Sequence, residues 1–350
     1  MIPQAKIRGG LRILAAACAV AAGVVLGGLA AAPEPFDWRL PPGVAPPPVP
    51  ADNPMSAAKV ELGRRLFYDA DLSIDGAISC ATCHEQHHGF TDSNRTRPGV
   101  HGTPGRRNIM SLAGVGYLSP LTWADPRAAT LEQQMLIPVL GESPVEMGMK
   151  GQEAELARRL AKDACYRRMF AEAFPDDRGE IGMATVAKAL AAFQRTMLAF
   201  DTPYDRSRAG DWSGMDAAAQ YGWALFNSER LKCATCHSGP AFSDSAYHAL
   251  AGQAAADDTG LAEISGRAGD LARFRTPGLR NVAVSGPYLH DGAADTLAAA
   301  IRRHFAATDP NAPTAAEITD LSAFLRSLTD AGFLKDPRFA LPQTACGEPL

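Results

Sequence analysis

Cys80-Ala81-Thr82-Cys83-His84 and Cys233-Ala234-Thr235-Cys236-His237 decide how this chain is read. Each is a CxxCH run, and the inner residues are the same. Two thiols one helical turn apart can each add to a vinyl group of one haem, and the adjacent histidine then stands under the iron. A zinc site would want two further ligands close by in sequence. A redox dithiol would sit in a βαβ context and need no histidine after it. The motifs are 153 positions apart, which predicts two haem units, each about one domain long. Outside the motifs little internal repeat is visible.

The rest of the composition agrees with a folded, exported protein. The chain has 350 residues, 46% apolar and 21% charged. That supports one large or two ordinary domains and excludes bulk disorder, collagen or a coiled-coil rod. The net charge is −4; no basic face dominates, so nucleic-acid binding is excluded. A redox partner would present a basic or neutral patch. Lys6, Arg8 and Arg12 precede an apolar run from Leu11 to Ala32. This is the pattern of a secretory signal over residues 1–32, with Gly28-Leu29-Ala30 as cleavage triplet; an uncleaved membrane anchor is the alternative. Cys18 lies inside the run, in a context unlike a lipoprotein site. The expected compartment is the periplasm.

Residues 33–55 form a proline-rich tether, with eight prolines between 33 and 50. Ser56 is an N-cap for a helix over 57–68. Thr130-Leu131-Glu132-Gln133 and Thr314-Ala315-Ala316-Glu317 are capping boxes. Helical periodicity covers 152–174 and 184–200, and further helices are expected over 215–228 and 296–305. In the last helix Ile318, Leu321, Phe324, Leu325 and Leu328 share a face. Strand signals are nearly absent. The expected class is all-α with long irregular loops: an N-terminal haem domain over 56–205 and a C-terminal one over 206–350, with the boundary within 201–214.

The opposite face of each haem sets its chemistry: a strong sixth ligand makes an electron carrier, and an open face can bind peroxide. No Met occurs after Met215, which excludes a downstream His–Met pair at the second haem. The remaining candidates are Tyr247, His248, Tyr288, His290 and His304. Leu297, Ile301 and His304 follow i, i+4, i+7, so His304 continues the buried stripe of its helix and is the preferred ligand. At the first haem, His101 is either the distal group or an ordinary loop histidine. His87 and His88 are too close to His84 to reach the far face. Glu146 is a candidate acid–base group for moving a proton between peroxide oxygens. Trp123, between the motifs, is either a hopping station for electrons or a core residue.

On these residues the chain resembles the bacterial dihaem cytochrome c peroxidase superfamily and, within it, the MauG-like branch. The likeness covers most of 56–340. It is carried by Leu66-Phe67-Tyr68-Asp69, both CATCH motifs, Arg107-Asn108, the Trp123 segment and Pro144-Val145-Glu146-Met147. It continues through Phe274-Arg275-Thr276-Pro277-Gly278-Leu279-Arg280-Asn281-Val282 and Pro287-Tyr288-Leu289-His290-Asp291-Gly292. The C-terminal Phe324-Leu325-Arg326-Ser327-Leu328-Thr329 and Asp336-Pro337-Arg338-Phe339 look most like MbnH-type members, which oxidise a tryptophan on a partner copper-binding protein.

The resemblance implies two cytochrome c-like α domains, two covalent haems c, and a calcium ion held by Asn108 and the carbonyls of Arg275 and Pro277. It implies that Trp123 is the inter-haem tryptophan, Glu146 the distal-pocket glutamate and Pro138 a pocket proline. The haem on His84 would react with peroxide, and the one on His237 would relay an oxidising equivalent. Members carry Met or Tyr on the helix after the HDG segment; here the position is His304, followed by Phe305. The surface tryptophan that MauG carries two residues before its second motif is Leu231 here, so any hole must leave by another route.

The leading functional expectation is a periplasmic dihaem oxidoreductase using hydrogen peroxide. Its electrons would come from a small cytochrome c or cupredoxin, or from a side chain of a partner protein. The alternatives are a non-catalytic dihaem electron carrier and a redox sensor that binds a partner without turnover. Cys165 and Cys346 remain; in an oxidising compartment their pairing would tie the tail back onto the first domain.

Overall fold

Ser56 starts the first helix as its sequence predicts: its hydroxyl accepts the Lys59 N–H at 3.2 Å, and Leu62, Gly63, Leu66 and Phe67 form the buried face. The computed structural model describes residues 36–251 and 258–350, together with Met1. The signal-peptide, anchor and Cys18 readings lie outside the described residues. In chain order the helices are α1 (Ala57–Phe67), α2 (Cys80–Cys83), α3 (Leu131–Gln134), α4 (Leu136–Leu140), α5 (Glu153–Lys162), α6 (Ala164–Ala173) and α7 (Met183–Arg195). They continue as α8 (Pro203–Arg208), α9 (Ala217–Phe226), α10 (Cys233–Cys236), α11 (Ala262–Ser265), α12 (Leu297–Arg303) and α13 (Ala315–Arg326). Among the described residues the sheet content is two short antiparallel pairs. β1 (Tyr247–His248) lies against β2 (Phe274–Arg275), and β3 (Thr344–Ala345) against β4 (Glu348–Pro349). The protein is predominantly helical. Among the described residues no helix is long and apolar enough to cross a membrane.

Two helix pairs organise the core, and each closes on a glycine. α1 packs on α7, and α9 packs on α13. A Cβ on Gly63 would stand 2.0 Å from the Ala189 carbonyl oxygen, and one on Gly222 would stand 2.0 Å from that of Asp320. Only a residue without a side chain lets the two backbones approach so closely. Around these pairs the buried apolar residues form two main clusters. One holds Leu62, Leu66, Phe67, Phe90, Phe193 and their neighbours, and the other Leu225, Phe226, Phe242, Leu321 and Phe324. Phe333 and Phe339, from the C-terminal tail, belong to the first cluster.

Several helix boundaries differ from the sequence expectation. The 152–174 segment is two helices, because Asp163 leaves helical geometry and caps α6 by accepting the Cys165 N–H at 2.6 Å. α7 ends at Arg195, and α12 at Arg303 with His304 as its C-cap. The Thr130 box forms, but the helix behind it is interrupted at Met135. The tether is docked toward its end. Tyr117 donates its hydroxyl to the Ala45 carbonyl at 2.7 Å, and Asn53 is buried between Glu132 and the Lys188 carbonyl. Cys165 and Cys346 form a disulfide. The tail is further held by Tyr68 and Gln86, which donate to the carbonyls of Phe339 and of Phe333 and Asp336.

Candidate functional site

Each CxxCH forms one short helical turn that presents its histidine from the same kind of support. His84 Nδ1 lies 2.7 Å from the Phe90 carbonyl, and His237 Nδ1 lies 3.1 Å from that of Phe242. A carbonyl only accepts, so each Nδ1 carries the proton and each Nε2 keeps its lone pair for a metal. Phe90 and Phe242 reach this arrangement with φ of 62° and 56°, a costly left-handed conformation for a bulky residue. The rings of Phe67 and Phe226 stand 6.4 Å from His84 and His237 respectively, both tilted by 46°. Phe193 and Phe324 complete the two clusters against Phe67 and Phe226. Gly63-Arg64-Arg65-Leu66-Phe67 and Gly222-Trp223-Ala224-Leu225-Phe226 are thus one repeated GxxLF element. This corrects the reading that little repeats outside the motifs.

Burial dominates the electrostatics of both motifs. Burial pushes the thiol of Cys80 up to about 12 and those of Cys83 and Cys233 up to about 11. Burial lowers the pKa of His84, and burial with the neighbouring His304 lowers His237 to about 4. Both imidazoles are therefore neutral, as metal ligation requires.

The second motif opens onto a cavity of about 450 Å³, a size suited to a bound cofactor. His237, Cys233 and Cys236 line it, with Ile301, His304 and Phe305 of the α12 end. The expected buried stripe fades along α12: Leu297 is buried, Ile301 half-buried and His304 exposed, lining the cavity rather than packed core. Its Nδ1 lies 2.9 Å from the Ala300 carbonyl, which again frees Nε2. The rings of His237 and His304 are 6.2 Å apart, centre to centre. Two imidazoles on opposite sides of one metal, with bonds of about 2.0–2.1 Å, would stand about 6.4 Å apart. The residues fit an iron between them. Of the other candidates, His248, Tyr288 and His290 line the same cavity; His248 pairs with Asp244 at 2.8 Å, and His290 stacks on Phe274 at 3.6 Å.

Trp123 lines the same cavity and is tied at both ends. Its indole N–H donates to the Asn108 carbonyl, and its own carbonyl accepts the Arg275 N–H, each at 2.8 Å. Asn108, Arg275 and Pro277, the expected calcium set, also line this cavity. Asn108 spends its amide N–H groups on the carbonyls of Asn94 and Arg95. Among the described residues, the His, Cys and carboxylate clusters compact enough for a metal are Glu85–His87–His88 and Cys236–Asp244–His248. Burial lowers the Arg275 guanidinium to about 10, and among the described residues it makes no ion pair. An anionic group on a bound cofactor would match it.

At the first motif the structure brings Glu146 close enough to raise the pKa of both Cys80 and Cys83. Burial raises the pKa of Glu146 itself, and among the described residues its carboxylate makes no hydrogen bond. Its backbone is braced on both sides: its carbonyl accepts the Val100 N–H at 2.8 Å, and Met147 donates to the Pro138 carbonyl at 3.0 Å. His101 follows Val100 with φ of 60° and an exposed side chain. Glu146, Pro138 and the His101 turn are therefore one assembly beside the first motif.

Sequence reasoning missed the supporting phenylalanines and the Trp212–Trp223 pair. Trp223 lines a second cavity of about 240 Å³ beside His237, and Trp212, 6.4 Å from it, is 42% exposed.

Comparison with known proteins identifies the family. The model of the di-haem cytochrome c peroxidase family (CCP_MauG) matches residues 57–213. The methylamine utilization protein MauG of Methylophilus methylotrophus is 32% identical over 308 residues, 85% of this chain and 89% of that protein. The cytochrome-c peroxidase IdrP1 of Denitromonas iodatirespirans is 33% identical over 367 residues, 92% and 94% of the two chains. The crystal structure of a MauG-like protein associated with microbial copper homeostasis superposes with a TM-score of 0.82 at 37% identity, covering 88% of this chain and all of that one. The chain belongs to the MauG and cytochrome c peroxidase superfamily of dihaem peroxidases, and it is an oxidoreductase that uses peroxide.

Proposed function

We propose that the two motifs belong to two cytochrome c-like domains, 56–205 and 206–350, with hydrogen peroxide handled at the first and an oxidising equivalent relayed at the second. The carrying observation is an asymmetry. Imidazoles face each other across the second cavity, whereas an unpartnered, half-buried carboxylate stands beside the first motif. When bound, the haems supply the iron that takes up the oxidising equivalents of peroxide. His84 and His237 would each ligate one of them, the four motif cysteines would attach them, and His304 would be the second protein ligand at the His237 site.

Glu146 has the environment of a proton shuttle: burial favours its neutral form, and no neighbour locks its proton. Pro138 and the His101 turn hold it in place. Trp123, fixed between Asn108 and Arg275, is a rigid aromatic at the rim of the second site and serves as the relay residue. Trp223 and Trp212 offer the outward path that Leu231 does not. Asn108 and the carbonyls of Arg275 and Pro277 are the proposed calcium ligands. The electron source is a small cytochrome c or cupredoxin, or an oxidised side chain on a partner protein. The compartment is the periplasm.

The test is low-temperature EPR of the oxidised protein. One high-spin and one low-spin ferric signal are expected, and His304→Ala converts the low-spin signal to high-spin. A low-spin signal unchanged in that variant removes His304 as ligand. Two low-spin signals in the parent protein would remove the open first site.

A further inference from the structure

The turn after the first attachment motif carries three metal-type donors that the haem chemistry leaves unused. Gln86–His88 is a 3-10 turn, closed by Gly89 at φ 67°, and it gathers Glu85, His87 and His88 on one outer edge. Their ligand atoms all lie within 4.8 Å of one another. His87 Nε2 is 3.4 Å from Glu85 Oε2, and His88 Nε2 is 4.0 Å from the same oxygen. We propose that Glu85, His87 and His88 bind one divalent transition-metal ion of the copper–zinc class at the surface beside the first site.

Donor spacing is the first argument. Ligands held about 2.0–2.1 Å from one tetrahedral metal are about 3.3 Å apart. The His87–Glu85 pair already has about that separation, and His88 Nε2 would close on the same carboxylate oxygen from 4.0 Å. Donor orientation is the second. His88 Nδ1 lies 3.3 Å from the Val284 carbonyl, so its proton points there and Nε2 faces the cluster. An imidazole anchored through its other nitrogen is the usual outer support of a metal ligand. At present Ser93 donates its hydroxyl to that Nε2 at 2.9 Å, a bond the metal would displace.

Charge is the third argument. Arg97 sits 3.4 Å from Glu85 Oε1 and opposes a cation. It is offset by the buried Asp92 at 3.2 Å, and it leaves Oε2 free. His87 is 68% exposed in its side chain, so the ion has a route in and keeps water on its remaining positions. Two imidazoles and one carboxylate suit Cu²⁺ and Zn²⁺ and not Ca²⁺ or Mg²⁺, and Cu²⁺ binds the tighter of the two. The site uses none of the proposed haem or peroxide residues, so it stands or falls apart from the functional reading above.

The test uses untagged, haem-loaded full chain with copper sulfate and zinc sulfate separately. Equilibrium dialysis should give one Cu²⁺ per chain, with Zn²⁺ competing more weakly. EPR of the copper-loaded protein should show nitrogen hyperfine structure from two imidazoles. The double variant His87→Ala/His88→Ala should weaken copper binding by about tenfold or more, with its Soret spectrum unchanged. His248→Ala, in the other donor cluster, should leave binding intact. Should the alanine variant lose its Soret band, His87→Gln/His88→Gln keeps the bulk and asks the same question. Copper retained by the double variant, copper lost in His248→Ala, or no stoichiometric copper at all would overturn the proposal.

Discussion

Glu146 shows how much one residue's surroundings decide. In sequence it is a loop glutamate two residues after a proline. In the fold its carboxylate is desolvated, has no hydrogen bond among the described residues and stands by the first pair of thiols. A general acid–base contributes about 10²–10⁴-fold to rate, so Glu146→Gln should lower peroxide turnover by that order while haem content stays at the wild-type level. The variant should also lose the acid limb of the pH profile. Burial raises this pKa, so the catalytic carboxylate is lost, as pH falls, at a higher pH than the ordinary value of about 4.3. Steady-state kinetics with hydrogen peroxide across pH checks both, and an unaltered profile would reassign the proton shuttle.

The repeated GxxLF element governs the next scale up. Each glycine lies under a helix crossing where a Cβ would stand 2.0 Å from a backbone carbonyl oxygen. Backbone cannot swing aside as a side-chain tip can. Gly63→Ala should force α1 from α7, and Gly222→Ala should force α9 from α13, each costing about 1–3 kcal/mol or more as overpacking does. Because Phe67 and Phe226 end the same helices against His84 and His237, the strain should also reach the haem sites. Thermal unfolding followed in the Soret and far-UV regions should show both losses. Gly76→Ala, where nothing lies within 4 Å of a Cβ, costs packing nothing, though its φ of 70° keeps it from being silent.

Two long-range links act on the molecule as a whole. The Cys165–Cys346 bridge closes a sequence separation of 181 residues and holds a tail whose Phe333 and Phe339 pack on Phe90. Cys346→Ser should lower stability by about 2–5 kcal/mol in denaturant unfolding and free the tail for proteolysis. The second link is the ion-pair network of Arg106 and Arg107 with Asp258 and Glu263. At Asp258, burial works against ionisation, but hydrogen bonds from Arg107 and the Gly260 N–H prevail and bring it to about 2. A carboxyl depressed in the folded state stabilises above its unfolded pKa of about 3.9 and loses that contribution as pH falls toward 2. Stability should therefore drop over this window by roughly 1 kcal/mol after solvent screening, and Asp258→Asn should flatten the drop. Urea titrations at pH 5, 4 and 3 would show it.

What the sequence determined by itself is what local chemistry encodes: the attachment motifs, the helix caps at Ser56, Thr130 and Thr314, the helical class, and the i+7 step that singles out His304. These signals act over a turn or two of chain, so they survive without a fold. The Asp163 break was less legible, because its capping geometry interrupts an otherwise continuous apolar period. The repeat around the two histidines was hidden by spacing: Phe90 follows His84 by six positions and Phe242 follows His237 by five, so no fixed offset aligns them. Only the tertiary structure decided that His304 faces His237 at 6.2 Å, that Trp123 is pinned between Asn108 and Arg275, and that Glu146 reaches the first thiols. Each joins segments that no local signal connects, so these distances depend on tertiary packing and not on any property of the residues taken one at a time.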